Sequence, residues 1–450
     1  MLLVFKFFLF NFVFNLKLFD MNILILWNDS KNVASTVFSH VKSIKKYSKN
    51  NVFLLNIIKN IPHNFDLSKF DVVVIHYSLF LYSRSYVSID LLRKLSEFNG
   101  IKCIFIQDEY RNVDMVIDAM LSIGVDVVFT CVPSSEIEKV YPEEKLPGVL
   151  KVNVLTGYVD TALLNYPVPR YEDRTVDIGY RARKPPVYLG ELGQEKWRIG
   201  QRVGEDAKRM GLIVDLAYRE EERLYGDAWI KFVSNCKAVL GVESGASVFD
   251  FTGEVAKNVT RALQENPNLC FIELQKRFFF DLEGHIKLNQ ISPRCFEAAS
   301  LKTLMILYEG DYSGRLIPWR HYLPLKKDHS NFSEIVSCLK NEKYAQEIIN
   351  NAYLEVALNP INSFQAMVQI FDESVEKIKH KKDEIVRIYY SEAELLEIQK
   401  SARKINLYAN FKRKIIFFVY KFIFKFMMFF FSEKQRDVVH RWLSNNLKYF

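Results

Sequence analysis

From Met21 onward the chain alternates short, unbroken apolar runs with longer segments of helical spacing. Met21–Trp27, Val52–Ile58, Asp71–His76, Ile101–Ile106, Asp126–Thr130 and Val152–Leu155 read as strands. Continuous apolar runs of this kind suit parallel strands buried on both faces, and the intervals between them are long enough for crossover helices. The pattern stops at Tyr166–Arg174, where two prolines and a charge cluster make a linker. A second series follows: Val176–Tyr180, Leu212–Ala217, Ala238–Val242, Thr303–Leu307 and His321–Leu325, with helices such as Glu195–Met210 and Ser333–Lys340 between them. The expected fold class is α/β, with two Rossmann-like, doubly wound domains spanning 21–165 and 175–375 and a ligand cleft between them.

The two ends break this alternation. Residues 1–20 are Phe-rich and short for a membrane span. They read either as an anchor or as a start assigned upstream of the true one. Residues 381–450 form a helical tail: 383–404 is charged, and the run from Phe411 to Phe431 is dominated by Phe, Ile and Met. Within that run Lys414, Lys421 and Lys425 share one helix face. Such a helix lies in a membrane interface more readily than it crosses one. The alternative is a helix that docks on the protein itself or on another subunit.

Charge refines the picture. The chain has 450 residues and a net charge of +8. The segment Ser401–Phe450 holds eleven Lys/Arg against two Asp/Glu, so the first 400 residues sum to about −1. The basic character therefore belongs to the tail, and diffuse nucleic-acid binding by the globular part is not expected. Six widely spaced cysteines, with no Cys-x-x-Cys pair, argue against a zinc site or a disulfide scaffold and for a reducing, cytoplasmic setting. There is no Asp-x-Asp, His-Glu-x-x-His, Gly-x-Ser-x-Gly, Gly-x-Gly-x-x-Gly or P-loop pattern.

Chemistry concentrates at a few strand and helix ends. In Ile291–Ala299, Ser292 is placed to cap a helix and Pro293 fits its first position. The free N–H groups of that turn, with Arg294, make an anion site suited to a diphosphate, and Glu297 lies on the same helix side, able to accept from sugar hydroxyls. Arg181, Arg183 and Lys184 follow the first strand of the second half, where binding crevices form. The loop Gly241–Ser247 also follows a strand. Its glycines allow close approach of a ligand, with Glu243 and Ser244 as further donor-binding candidates. In the first half His76, Asp108 and Glu109 end strands and are the candidates for a base near an acceptor hydroxyl. A strand-end histidine is also a common structural hydrogen-bonder, and Asp108 also fits as a helix cap.

The two halves, the basic loop 181–184 and the run Arg294-Cys295-Phe296-Glu297-Ala298 followed by Thr303–Leu307 and Glu309–Gly314 resemble GT-B glycosyltransferases. The likeness is to group-1 (family 4-like) enzymes and their spore-maturation CgeB-like branch, over residues 21–375. It implies metal-independent transfer, with retention, from a nucleotide-sugar to an acceptor in the cleft. Arg181 and Lys184 would hold the diphosphate and Glu297 the ribose. The nucleotide-sugar is a substrate; no cofactor and no metal are expected. A second glutamate often stands eight residues before the first in such enzymes; here it is Asn289. The expected protein works at the inner face of the membrane, in contact with anionic lipid, on a cell-surface glycan, lipid-linked or protein acceptor. Two other readings stay open: a catalytically silent nucleotide- or glycan-binding assembly module, and a nucleotide-sugar epimerase. The central spatial expectation is that the cations at 181–184 and Glu297 converge on one pocket.

Overall fold

The structure is a computed structural model. It describes residues 21–28, 35–57, 60–62, 65–379, 390–391 and 393–404, with the single positions 407, 408, 411 and 415. The N-terminal lobe is a six-stranded parallel sheet in the order β2-β1-β3-β4-β5-β6. Its strands are β1 (Asn22–Trp27), β2 (Asn51–Asn56), β3 (Val72–Ile75), β4 (Ile101–Ile106), β5 (Val127–Thr130) and β6 (Leu150–Asn153). Helices α1 (Ser35–Tyr47), α2 (Ile89–Glu97), α3 (Val113–Ile123) and the single turn α4 (Ile137–Val140) connect them. Every residue of β1, β3, β4 and β5 is buried, which is why these strands read as unbroken apolar runs.

The edge strand differs from the expected Val152–Leu155. Pairing of Val127 with Leu150 starts β6 two residues earlier, and all four of its residues are only half-buried. Val154 and Leu155 are buried because they leave the sheet and cross towards the second lobe.

The C-terminal lobe is a five-stranded parallel sheet, ordered β11-β10-β9-β7-β8. It contains β7 (Val176–Arg181), α5 (Gly190–Arg209), β8 (Val214–Ala217), α6 (Asp227–Asn235) and β9 (Cys236–Gly241). Next come α7 (Glu254–Glu265), α8 (Phe271–Phe278), α9 (Pro293–Ser300), β10 (Leu304–Tyr308), β11 (Leu323–Leu325), α10 (Phe332–Lys340) and α11 (Glu342–Ala352). Strand order reverses between β7 and β9, which opens a crevice at their carboxyl ends.

The last long helix, α12 (Phe364–Lys379), packs on α1 and β4 of the first lobe, although a boundary at 375 places most of it in the second. Phe371 buries fully against Phe105 and Phe129. Asp372 accepts from Ser48 Oγ (2.6 Å), the Lys49 amide (2.9 Å) and Asn50 Nδ2 (3.0 Å). The helix over 393–404 also docks on the first lobe. Gln399 Nε2 donates to the Leu54 carbonyl at 2.9 Å, and Tyr390 stacks on Phe65 with centroids 5.5 Å apart. Residues 1–20, and Lys414, Lys421 and Lys425 with the rest of the Phe-rich run apart from Phe411 and Ile415, lie outside the described residues. Among the described residues no helix is long and apolar enough to cross a membrane.

Candidate functional site

The site is built around the first turn of α9. Ser292 Oγ accepts from the Arg294 amide and Pro293 occupies the first helical position, as its local chemistry dictates. This turn is seated on the opposite lobe. Thr156 Oγ1 donates to the Ile291 carbonyl, and a Cβ on Gly157 would lie 2.8 Å from Pro293 Cβ, so only glycine permits the approach. The contact divides the interlobe gap into two chambers.

The first chamber, about 260 Å³, lies over the carboxyl ends of β7 and β9. Arg183, Lys196, Arg223 and Arg294 line it, together with Ser244, and Asp108 and Tyr110 close it from the first lobe. The ammonium of Lys196 shows how tightly these charges gather. Burial lowers its pKa most, Arg183 and Arg294 lower it further, and Asp108 opposes them. Asp108 holds a left-handed φ of 54° and accepts from Tyr110 Oη at 2.9 Å. A non-glycine residue in that region is uncommon and marks a position where neighbours impose the conformation.

The second chamber, about 160 Å³, is lined by His40, Tyr77, Tyr158, Trp229, Asp227 and Glu297 among others, and by no lysine or arginine among the described residues. Glu297 Oε2 accepts from Trp229 Nε1 at 2.8 Å. Burial raises its carboxyl pKa, opposed by the Trp229 hydrogen bond and by Arg294. The Arg294 guanidinium lies 4.8 Å over the Trp229 ring and donates to the Arg181 carbonyl. Trp229 thus links the chambers: its face carries the arginine and its N–H carries the carboxylate.

The structure redistributes the expected site residues. The cations and Glu297 do not share one pocket: Arg183 and Arg294 line the first chamber, Glu297 the second. Arg181 turns away from both. Alternation along β7 puts it on the α6 face with Gly179, where it lies 4.1 Å over Phe232 and pairs with Asp215 Oδ2 at 2.8 Å. Lys184 lies 4.7 Å over Trp197 and lines neither chamber. Glu243 is a brace. It accepts from the Asp311 amide (3.0 Å), the Tyr312 amide (2.9 Å) and Asn289 Nδ2 (2.7 Å), which also accounts for Asn289. His76 is fully buried behind the cleft, bonded to Ser78 and, at 3.2 Å, to His40, and burial lowers its pKa. Glu109 lies beneath Asp108, with both oxygens taken by Thr130 Oγ1, Tyr141 Oη and the Cys131 amide. Neither of these two lines either chamber, and Glu109 lines only the adjoining N-lobe cavity, with its oxygens already engaged.

Burial raises the Glu109 carboxyl from 4.5 to about 7, against the pull of its hydrogen bonds. A carboxyl shifted up on folding contributes stability below its unfolded pKa, and that contribution is lost as pH climbs through the folded one. Between pH 4.5 and about 7 the chain is expected to lose up to about 3 kcal/mol through this group. Glu109→Gln should flatten that dependence. Melts at pH 5 and pH 8 that give the same offset between the two proteins would refute this.

Lys196, Trp229, Tyr110 and His40 were not singled out in the sequence. Only Lys196 leaves a trace there: it interrupts the apolar stripe Leu192, Ile199, Val203, Ala207 of α5 at a core spacing.

Two doubly wound parallel sheets facing each other across a cleft define the GT-B arrangement. No protein-family model matches the chain and no curated protein matches it. Similar solved structures include an alpha-glucosyltransferase in complex with UDP-glucose and DNA containing an abasic site (11% identity, TM-score 0.49, 80% of this chain and 99% of that one). Others are sucrose-phosphate synthase from Thermosynechococcus elongatus (11%, 0.44, 80% and 100%) and Alr3699/HepE from Anabaena in complex with UDP (9%, 0.43, 79% and 100%). None of these reaches a TM-score of 0.5, and the fold stands on the chain's own two sheets.

Proposed function

We propose that the chain is a glycosyltransferase whose nucleotide-sugar donor wraps the first turn of α9. The observation that carries this reading is the pair of chambers of opposite character on the two sides of that turn. The diphosphate lies at the opening of that turn, beside Arg294 and Lys196, with the Arg294 amide already held by Ser292 Oγ and the Cys295 amide by the Ser292 carbonyl. The nucleoside lies in the second chamber, with Glu297 accepting from the ribose hydroxyls. The transferred sugar lies in the first chamber under Asp108, which is placed to accept from the incoming hydroxyl. Charge on the departing diphosphate is met by side-chain cations. Transfer with retention belongs to the same proposal and is supported by the likeness of Arg294–Ala298 to the group-1 enzymes. The test is to incubate purified protein with a panel of sugar nucleotides. Slow release of nucleoside diphosphate is expected, and Arg294→Ala should remove it. Tight nucleotide binding with no release from any donor would point instead to a silent module, and interconversion of the sugar without release to an epimerase.

The acceptor is a cell-surface glycan, lipid-linked or protein-borne, presented at an anionic membrane. The described positions of the tail support the membrane part. Leu407, Phe411 and Ile415 recur every four residues and are 69%, 62% and 46% exposed, in the chain's most basic segment. Deleting 405–450 is expected to abolish co-sedimentation with vesicles containing anionic lipid. A truncated protein that still sediments with them would remove this assignment.

A further inference from the structure

The first chamber carries more positive charge than a donor diphosphate requires. Among the described residues four cations line it, and Asp108 is the one carboxylate. A fifth cation stands at its edge. Arg111 lines the adjoining N-lobe cavity, which shares Asp108 with the first chamber; its backbone is bridged to Asp250 of the other lobe, and its guanidinium lies 5.8 Å from the Tyr188 ring centre. Among the described residues, neither Arg111 nor Arg183 has an ion-pair partner within 4.0 Å.

A donor diphosphate brings about two negative charges, which Arg294 and Lys196 meet in the reading above. Arg223 is engaged on the Tyr225 ring, 4.9 Å from its centre, so Arg111, from one lobe, and Arg183, from the other, remain on the Asp108 side. Both guanidinium groups act on the Tyr110 hydroxyl, lowering its pKa against burial, so the two charges stand near one place; like charges repel, and an anion between them removes that repulsion. The surroundings fit a ring compound: Tyr82 lines the N-lobe cavity, Tyr110 the chamber, and Tyr188 lies under Arg111. Among the described residues the second chamber has no lysine or arginine and offers no comparable place for an anion.

We propose that the acceptor side of this cleft takes a sugar bearing a phosphate or carboxylate group, gripped between Arg111 and Arg183 with its reacting hydroxyl towards Asp108. This rests on the glycosyltransferase reading and names the acceptor's chemistry within it. The preference comes from two planar forks, each matched to the paired oxygens of such an anion.

The test uses the full chain, first titrated with UDP and GDP and then, with or without the bound nucleotide, with glucose 6-phosphate, glucuronate and glucose in a calorimeter. At least one anionic sugar is expected to bind about tenfold or more tightly than glucose, and Arg111→Gln to cut that preference to about threefold or less. Arg111→Lys, which keeps the charge but not the fork, should fall between them. Equal binding of the three sugars, no binding of either anionic sugar, or a preference undiminished in Arg111→Gln would each overturn the proposal. Failure of the donor reading appears separately, as absence of binding in the nucleotide titrations, and leaves the sugar preference measurable on the nucleotide-free protein.

Discussion

Replacing Arg294 with alanine is expected to lower kcat/KM for nucleotide release about 10²–10³-fold, the usual cost of removing one donor from a developing oxyanion. The side chain is held for that task. It stacks on Trp229 and is tied to the Arg181 carbonyl, so little rotational freedom is lost when a diphosphate arrives. Its position in the opening turn of α9 also sets it at the positive end of the helix dipole. Arg294→Lys keeps the charge without the fork and should lose about tenfold. Glu297→Ala is expected to act differently. It weakens the grip on a ribose remote from the reacting bond, so KM for the donor rises more than kcat falls. An Arg294→Ala protein with an unchanged melting profile and release within about threefold of the parent would sink the donor assignment.

The expected site and the observed one differ for physical reasons that single residues make plain. Ile101–Ile106 was readable to the residue because a strand covered on both faces has to be apolar throughout. The cap Ser292-Pro293 was readable because capping is local chemistry, decided within one turn. Arg181 and Arg183 look equivalent in the sequence. They separate only once it is known that β7 ends at 181: alternation points the first at α6, and the turn that follows releases the second into the chamber. His76 ends its strand with polar chemistry, but its ring is enclosed by His40, Tyr77 and Ser78, neighbours that arrive from α1 and from the loop after β3. Lys196 and Trp229 were beyond reach for a related reason. Each lies on a helix that is ordinary in isolation, and only the meeting of α5, α6 and α9 at the cleft brings the two residues to the chamber walls. The return of α12 to the first lobe is a contact across more than 300 residues, fixed by Asp372 on Ser48 and Asn50, and no periodicity encodes it.

Gly245→Ala is expected to cost about 4 kcal/mol or more, or to prevent folding of the C-terminal lobe. Gly245 sits at φ 120°, where L side chains rarely go, and its added Cβ would lie 1.7 Å from the Leu288 carbonyl oxygen. That oxygen belongs to backbone, so no rotamer change relieves the overlap. The segment has to move instead, and moving it breaks the reciprocal pair Ser244 N to Gln290 O (2.7 Å) and Gln290 N to Ser244 O (2.9 Å). The same loop supplies Ser244 and the Gly245 carbonyl, which accepts from Lys196 Nζ at 3.4 Å, so the wall of the cationic chamber fails with it. Gly211 separates the two contributions to the effect. It too has a positive φ, 65°, but nothing lies within 4 Å of its added Cβ. Gly211→Ala should therefore cost only the backbone strain, about 1–2 kcal/mol. Denaturant melts of the two variants measure the difference directly. Equal shifts in midpoint would mean that the close approach of the 245 and 288 segments does not exist in solution, and the chamber built on it would have to be redrawn.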